Sequence, residues 1–261
     1  MMNDKTFRKN KARKGIFVLP NLFTTFNMFF GFFSIVSALD KNFTNAAIFI
    51  LIAAVFDLLD GKIARATNTT SKFGIEYDSL ADLVSFGMAP GLLMYLWALR
   101  PLGRIGWLAA FLFLVCGALR LARFNTHTGT VSSDYFTGLP IPAAAGMNAT
   151  TVLFCNKIGM MNAVNPVVVM ILLYMLSFLM VSTIKFNSYK HAELFNRMNF
   201  NVLVAAILVL MLIAAQPSIT LFALGALYVI SGPVHSVRHF KEYRQLRADA
   251  RNSKERHSTP L

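Results

Sequence analysis

The sequence predicts an all-α fold, a polytopic membrane helix bundle of about eight transmembrane helices with both termini in the cytoplasm. Three observations carry that prediction. Of 261 residues, 56% are hydrophobic and 14% are charged, against about 25% charged in an ordinary soluble domain; the mean hydropathy is +0.54. The apolar residues gather into eight segments, 22–39, 44–64, 80–99, 105–122, 141–159, 165–184, 201–216 and 218–234. Each is close to the length that crosses a hydrocarbon core of about 30 Å. Finally, eight crossings from a cytoplasmic N-terminus leave twenty-one of the twenty-five Lys and Arg inside and four outside, namely Lys41, Arg100, Arg104 and Lys157. That asymmetry follows the positive-inside rule, and an odd number of spans would send a strongly basic tail outside.

The net charge of +13 does not point to nucleic acid. The basic residues sit at the chain ends and between apolar runs, as membrane topology requires. Cys116 and Cys155 lie inside apolar runs with no disulfide or zinc spacing, so they read as small core residues. No secretory cleavage signal is expected, because the basic start leads into the first apolar run without a small-residue site. The chain divides into a basic juxtamembrane segment (1–20), a membrane domain (21–235) and a basic cytoplasmic tail (236–261), the tail either a solvated helix or disordered.

Residues 3–15 carry Lys5, Arg8, Lys9, Lys11, Arg13 and Lys14. They form either a helix lying on an anionic membrane surface or a tail that only sets topology. Pro20 and Asn21 start the first apolar segment, in which Asn27 and Gly31 lie one turn apart on one face. An amide in a membrane helix faces protein or a site rather than lipid. The fourth segment ends in Arg120 and Arg123, three apart and therefore on one face near the cytoplasmic surface. They either snorkel from a helix C-terminus or bind an anionic group such as a substrate carboxylate by a forked contact. Pro140 and Pro142 stiffen the entry to the fifth segment, which is the weakest span because of its Pro, Gly and Asn content.

The second and third segments bracket the polar feature that organises the chain: Asp57-Leu-Leu-Asp60-Gly61-Lys-Ile-Ala64-Arg65, eight residues, then Gly74-Ile-Glu-Tyr-Asp78-Ser-Leu-Ala-Asp82. Asp57 and Asp60 are three apart, Asp78 and Asp82 four apart, so each pair shares a helical face. The surroundings are strongly apolar, and the nearby cations are chiefly Lys62, Arg65 and Lys72. Buried carboxylates cost several kcal/mol each unless compensated. The alternatives are solvated carboxylates at helix ends, or a bound cation. Oxygen-only donors select Mg²⁺, Mn²⁺ or Ca²⁺. Four Asp suffice for two ions, which suits chemistry at phosphate. Gly61, Ala64 and Gly74 are small enough to let a bulky anion approach the backbone.

This stretch resembles the signature of the CDP-alcohol phosphotransferases, D-x2-D-G-x2-A-R-x8-G-x3-D-x3-D, and matches it at Asp57, Asp60, Gly61, Ala64, Arg65, Gly74, Asp78 and Asp82. The resemblance implies that Asp57, Asp60, Asp78 and Asp82 hold two divalent ions, Mg²⁺ or Mn²⁺. It implies too that Asp82 is the general base, and that Asn27, Asp60, Gly61, Ala64, Arg65, Gly74 and Asp78 bind the CDP part of the donor. The start Pro20-Asn21, Thr24, Asn27 is similar to the family's first helix. The stretches ALRLARFN (118–125) and FTGLPIPAAAG (136–146) resemble the integral-membrane phosphatidylserine synthase branch. That branch implies transfer of a phosphatidyl group from CDP-diacylglycerol to serine at the cytoplasmic side of the cell or inner membrane, with Arg120, Arg123 and Phe124 at the serine and a homodimeric assembly. Two other readings compete. A sister enzyme using glycerol 3-phosphate or inositol phosphate would need a larger basic cluster for its acceptor. A cation transporter would need carboxylates near the bilayer midplane and a polar path across.

Overall fold

The computed structural model of the protein describes residues 4–67, 71–127, 135–187 and 200–234. The tail 236–261 lies outside the described residues. Eight helices are present among those described: α1 (Asp4–Leu39), α2 (Phe43–Ala66), α3 (Lys72–Leu102), α4 (Arg104–His127), α5 (Ile141–Lys157), α6 (Pro166–Val181), α7 (Phe200–Ala215) and α8 (Pro217–Val234). Each overlaps one of the eight apolar segments, but α1 begins at Asp4 rather than 22 and α3 at Lys72 rather than 80. The architecture is all-helical apart from one short antiparallel ribbon, β1 (Tyr135–Thr137) paired with β2 (Lys185–Asn187), with Phe136 opposite Phe186.

The termini of the helices follow local chemistry. Asn42 and Ser71 accept hydrogen bonds from the Asn45 and Gly74 amides and start α2 and α3. Asn165 does the same for α6, with Pro166 in the first turn, where its missing N–H costs nothing. Gly103, at φ +55°, ends α3 and turns the chain into α4. The basic N-terminal segment is helical and continuous with the first apolar run, and α1 passes through Pro20 without a break. A proline removes one backbone bond, and in a helix this long the neighbouring turns carry the segment across it.

Four helical stretches are long and apolar enough to cross a membrane: Leu19–Leu39, Lys72–Leu102, Arg104–Thr126 and Pro217–Val234. The exposed side chains there and on the shorter helices are apolar, as at Phe32, Phe111, Phe178 and Leu227, so the protein is an integral membrane protein whose outer face meets lipid. α2 is long enough but carries Asp57, Asp60, Lys62 and Arg65 in its last turns. α5, α6 and α7 have 17, 16 and 16 residues, about 24–26 Å at 1.5 Å per residue.

Packing depends on small residues and aromatic contacts, as it must where lipid removes the hydrophobic drive between helices. α1 lies along α2, with Phe30 stacked on Phe56 at 5.2 Å and Phe33 against Phe49 at 4.6 Å. Ala46, Ala47 and Ala53 of α2 are fully buried. Gly31 of α1 sits directly under Ser85 of α3, in a space that any Cβ would fill. The Ser85 hydroxyl donates to the Asn27 carbonyl at 2.9 Å. Here α3 changes register: Leu83–Met88, immediately after Asp82, is π-helical, and a second π turn follows at Tyr95–Leu99. Such bulges are frequent at functional sites. α4 packs on the other side of α3, close at Gly87 and Gly117.

Gly138 joins β1 to α5 at φ +81°, and a Cβ there would run into the Met180 carbonyl oxygen. Its amide donates to the Ile184 oxygen at 2.8 Å. Gly138→Ala is therefore expected to lower stability by about 2 kcal/mol or more, read as a lower Tm in detergent. Gly146, in α5 with open space at its Cβ position, is the control. Gly146→Ala is expected to be neutral or to gain up to about 1 kcal/mol. Equal effects at the two positions would rule out the steric account.

Candidate metal and nucleotide site

The last turns of α2 and the first turns of α3 bring the acidic residues together. One carboxylate oxygen each from Asp57, Asp60 and Asp78 lies within 4.8 Å of the others. Asp82 completes the group beside Asp57. Asp60 and Asp82 are almost fully buried. The helical spacings of three and four residues place each pair on one face, and the helix–helix approach points the two faces at each other.

α1 supplies the polar partners. The Thr24 hydroxyl donates to Asp60 Oδ2 at 3.0 Å and approaches the Pro20 carbonyl at 3.2 Å. The Asn27 side-chain amide donates to Asp82 Oδ1 at 3.1 Å. Asp78 Oδ1 is buried with no hydrogen-bond partner among the described residues. Carboxylates so close, in an apolar bundle, with one oxygen orphaned, are stabilised either by taking up protons or by a bound positive group. The donor set is all oxygen, which favours a hard divalent cation over zinc or copper. Asp57, Asp60 and Asp78 are the residues that could hold it, with Asp82 adjoining.

Beside the cluster opens a cleft of about 230 Å³, lined by Pro20, Asn21, Thr24, Asp60, Gly61, Ala64, Arg65, Ser71, Gly74, Ile75 and Asp78. Six of the seven residues read from the sequence as nucleotide-binding are on this wall: Asp60, Gly61, Ala64, Arg65, Gly74 and Asp78. Asn27 lies deeper, bonded to Asp82. Gly61 and Gly74 leave the floor low; a Cβ on Gly74 would stand 3.2 Å from the Ser71 hydroxyl and 3.5 Å from Asn21. The cleft thus combines a carboxylate floor, an arginine and small residues.

The residues read as serine-binding divide. Arg120 turns inward: its Nε is buried without a hydrogen-bond partner among the described residues, and its guanidinium lies within electrostatic reach of Asp82 and of Tyr228 on α8. Arg123 turns towards α6, where Nη1 approaches the Val181 carbonyl at 3.5 Å. Phe124 is exposed. All three lie outside the cleft lining. Several contributors escaped the sequence reading. Thr24 stands three residues before Asn27 on the same face of α1, but nothing in the sequence marks its bond to Asp60. Ser71 and Ile75 lie in the connection and first turn of α3, and no pattern marks them.

Comparison with known proteins bears on the same residues. Residues 17–178 match the family described as CDP-alcohol phosphatidyltransferase. The chain is 38% identical over 217 residues to the CDP-diacylglycerol–serine O-phosphatidyltransferase of Helicobacter pylori, covering 83% of this chain and 90% of that protein. It is 40% identical over 172 residues to the enzyme of the same name from Bacillus subtilis, covering 66% of this chain and 91% of that protein. It is also 42% identical over 147 residues to the archaetidylserine synthase of Methanothermobacter thermautotrophicus, covering 56% of this chain and 59% of that protein.

Proposed function

The chain belongs to the CDP-alcohol phosphatidyltransferase family, and on that premise we propose that it transfers the phosphatidyl group from CDP-diacylglycerol to the hydroxyl of L-serine, releasing CMP. The observation that carries this is the carboxylate cluster of Asp57, Asp60 and Asp78 opening on a cleft lined by Gly61, Ala64, Arg65 and Gly74. Relatives named for serine support the acceptor, as does an inward-facing Arg120 on the far side of Asp82.

The cleft takes the cytidine diphosphate, with the low glycine wall against it and Arg65 on its phosphates. Asp57, Asp60, Asp78 and Asp82 would hold two divalent cations, Mg²⁺ or Mn²⁺, which would supply charge neutralisation at the diphosphate. The serine hydroxyl attacks the lipid-side phosphorus. A new O–P bond forms there as the bond to the CMP oxygen breaks, and CMP leaves with that electron pair. Asp82 accepts the hydroxyl proton, and Asn27 fixes the orientation of its carboxylate through the 3.1 Å bond. Arg120 pairs with the serine carboxylate, and Arg123 and Phe124 shape the same end. The exposed apolar faces of the helices leave the acyl chains in the bilayer.

The test is direct. Purified protein, CDP-diacylglycerol, Mn²⁺ or Mg²⁺ and a panel of labelled acceptors are expected to release CMP with serine only. Release with glycerol 3-phosphate or inositol phosphate and not with serine would overturn the acceptor assignment. The family resemblance also implies a homodimer, which the particle mass in detergent checks.

The same reading sets the cluster at the cytoplasmic surface, with eight crossings and both termini inside. Reporters fused after Leu261 and inserted at residues 68–70 are both expected to report cytoplasm. A C-terminal reporter found outside would mean that one of the short helices α5, α6 or α7 does not cross.

A further inference from the structure

Asp78 is flanked in the chain by two side chains that each reach a different helix. On one side, the Tyr77 hydroxyl meets the Thr25 hydroxyl of α1 at 3.0 Å. The Thr25 hydrogen is already committed to the Asn21 carbonyl at 2.7 Å, so Tyr77 is the donor. On the other side, the Asn125 side-chain amide of α4 donates to the Ser79 hydroxyl at 2.9 Å. Ser79 in turn donates to the Ile75 carbonyl at 3.0 Å, so both of its hydrogen-bonding roles are used and its rotor is fixed. Asn125 lies five residues beyond Arg120 on α4. Neither Tyr77, Ser79 nor Asn125 is a fixed position of the acidic signature.

We propose that Asn125 is a positioning residue: through Ser79 it holds Asp78 at the distance from α4 that a metal ion between Asp57, Asp60 and Asp78 requires, while Tyr77 and Thr25 hold the opposite side. The physical need is specific. Asp78 stands about two turns into α3, and one of its buried oxygens has no partner among the described residues. Its placement therefore rests on its chain neighbours. The bracket also ties the helix bearing Arg120 to the metal-binding helix, so that the two ends of the site keep one spacing. Outer partners bonded directly to a ligand change metal affinity by about ten- to a hundredfold when removed; Asn125 acts through the chain neighbour of Asp78, so the lower end of that range is expected.

The inference rests on the metal reading of the carboxylates, and the experiment separates the two. Mn²⁺ binding to the full-length protein in detergent, without substrates, is followed from the electron paramagnetic resonance signal of the free ion. Asn125→Ala is expected to weaken Mn²⁺ binding about tenfold. Ser79→Val is expected to do the same, while Ser79→Thr, which has the same shape but keeps the hydroxyl, stays within about twofold of the parent. The double variant Asn125→Ala with Ser79→Val is expected to be no weaker than the weaker of the two single ones, since the bond they share is lost only once. Equal Mn²⁺ affinity for Ser79→Thr and Ser79→Val, or losses that simply add in the double variant, would overturn the proposal. Asp78→Asn is the control for the underlying reading. If it binds Mn²⁺ as tightly as the parent, the metal assignment itself fails, whatever Asn125 does.

Discussion

Asp57→Asn, Asp60→Asn and Asp78→Asn are each expected to lower turnover about a thousandfold or more while the protein still inserts and folds. The three oxygens stand within 4.8 Å of one another, so each substitution removes one of the few donors a shared ion would need. An amide keeps the volume and loses the charge. Charge stabilisation at a phosphoryl centre is worth several kcal/mol, and about 4 kcal/mol corresponds to a thousandfold. Folding should respond with the opposite sign. Without metal, each substitution removes one charge from a cluster of mutually repelling, poorly hydrated carboxylates. The metal-free variants are thus expected to melt no lower than the metal-free parent. The parent is expected to gain stability as Mn²⁺ is added, through binding to the folded state alone, and the variants to lose most of that gain. Thermal melts with and without Mn²⁺, beside CMP-release assays, check both halves. Near-normal turnover by any of the three at low metal concentration would sink the two-ion reading.

Arg120→Lys is expected to raise the KM for serine at least tenfold and to leave the KM for CDP-diacylglycerol nearly unchanged. The carboxylate is the charged handle that separates serine from ethanolamine, and a hydrogen bond to a charged group contributes about 1.5–3 kcal/mol. Arg120 presents a buried Nε without a partner among the described residues, beside Asp82; a forked contact to a carboxylate would satisfy it. Lysine retains the charge but loses the fork. Arg123→Lys is expected to do less, because Nη1 of Arg123 already approaches the Val181 carbonyl, which ties it to the end of α6. Titration of both variants against both substrates decides the matter. An unchanged serine KM in Arg120→Lys would remove that residue from acceptor recognition and leave Lys62 and Lys72 as the cations to test.

Much was legible in the chain itself. Runs of apolar residues near twenty in length have one solution in a bilayer, because every backbone polar group must be satisfied within the segment. The eight helices therefore follow from composition and periodicity, one to each apolar segment, although α1 begins at Asp4 and α3 at Lys72, well before the segments at 22 and 80. The pairing of Asp57 with Asp60 and of Asp78 with Asp82 follows from helical geometry alone. So does the small-residue wall of Gly61, Ala64 and Gly74, since a missing side chain needs no partner to be recognised. The acidic signature is local on both sides of one short connection, and local patterns survive in a linear reading.

The tertiary structure decided what depends on residues far apart in sequence. Thr24 to Asp60, Asn27 to Asp82 and Asn125 to Ser79 span 36, 55 and 46 residues. Each bond exists because α1 and α4 cross α2 and α3 at one height, set by contacts such as Gly31 under Ser85 and Gly117 near Gly87. A serine or an asparagine in an apolar run gives no sign of which helix it will meet. The π turn after Asp82 and the ribbon of β1 with β2 were equally invisible, since they answer to packing rather than propensity. The separation of Arg120 from Arg123 makes the same point. Three residues apart, they share a face in the sequence pattern, yet one turns towards the carboxylates and the other towards α6, because long side chains choose their direction by what the neighbouring helices offer.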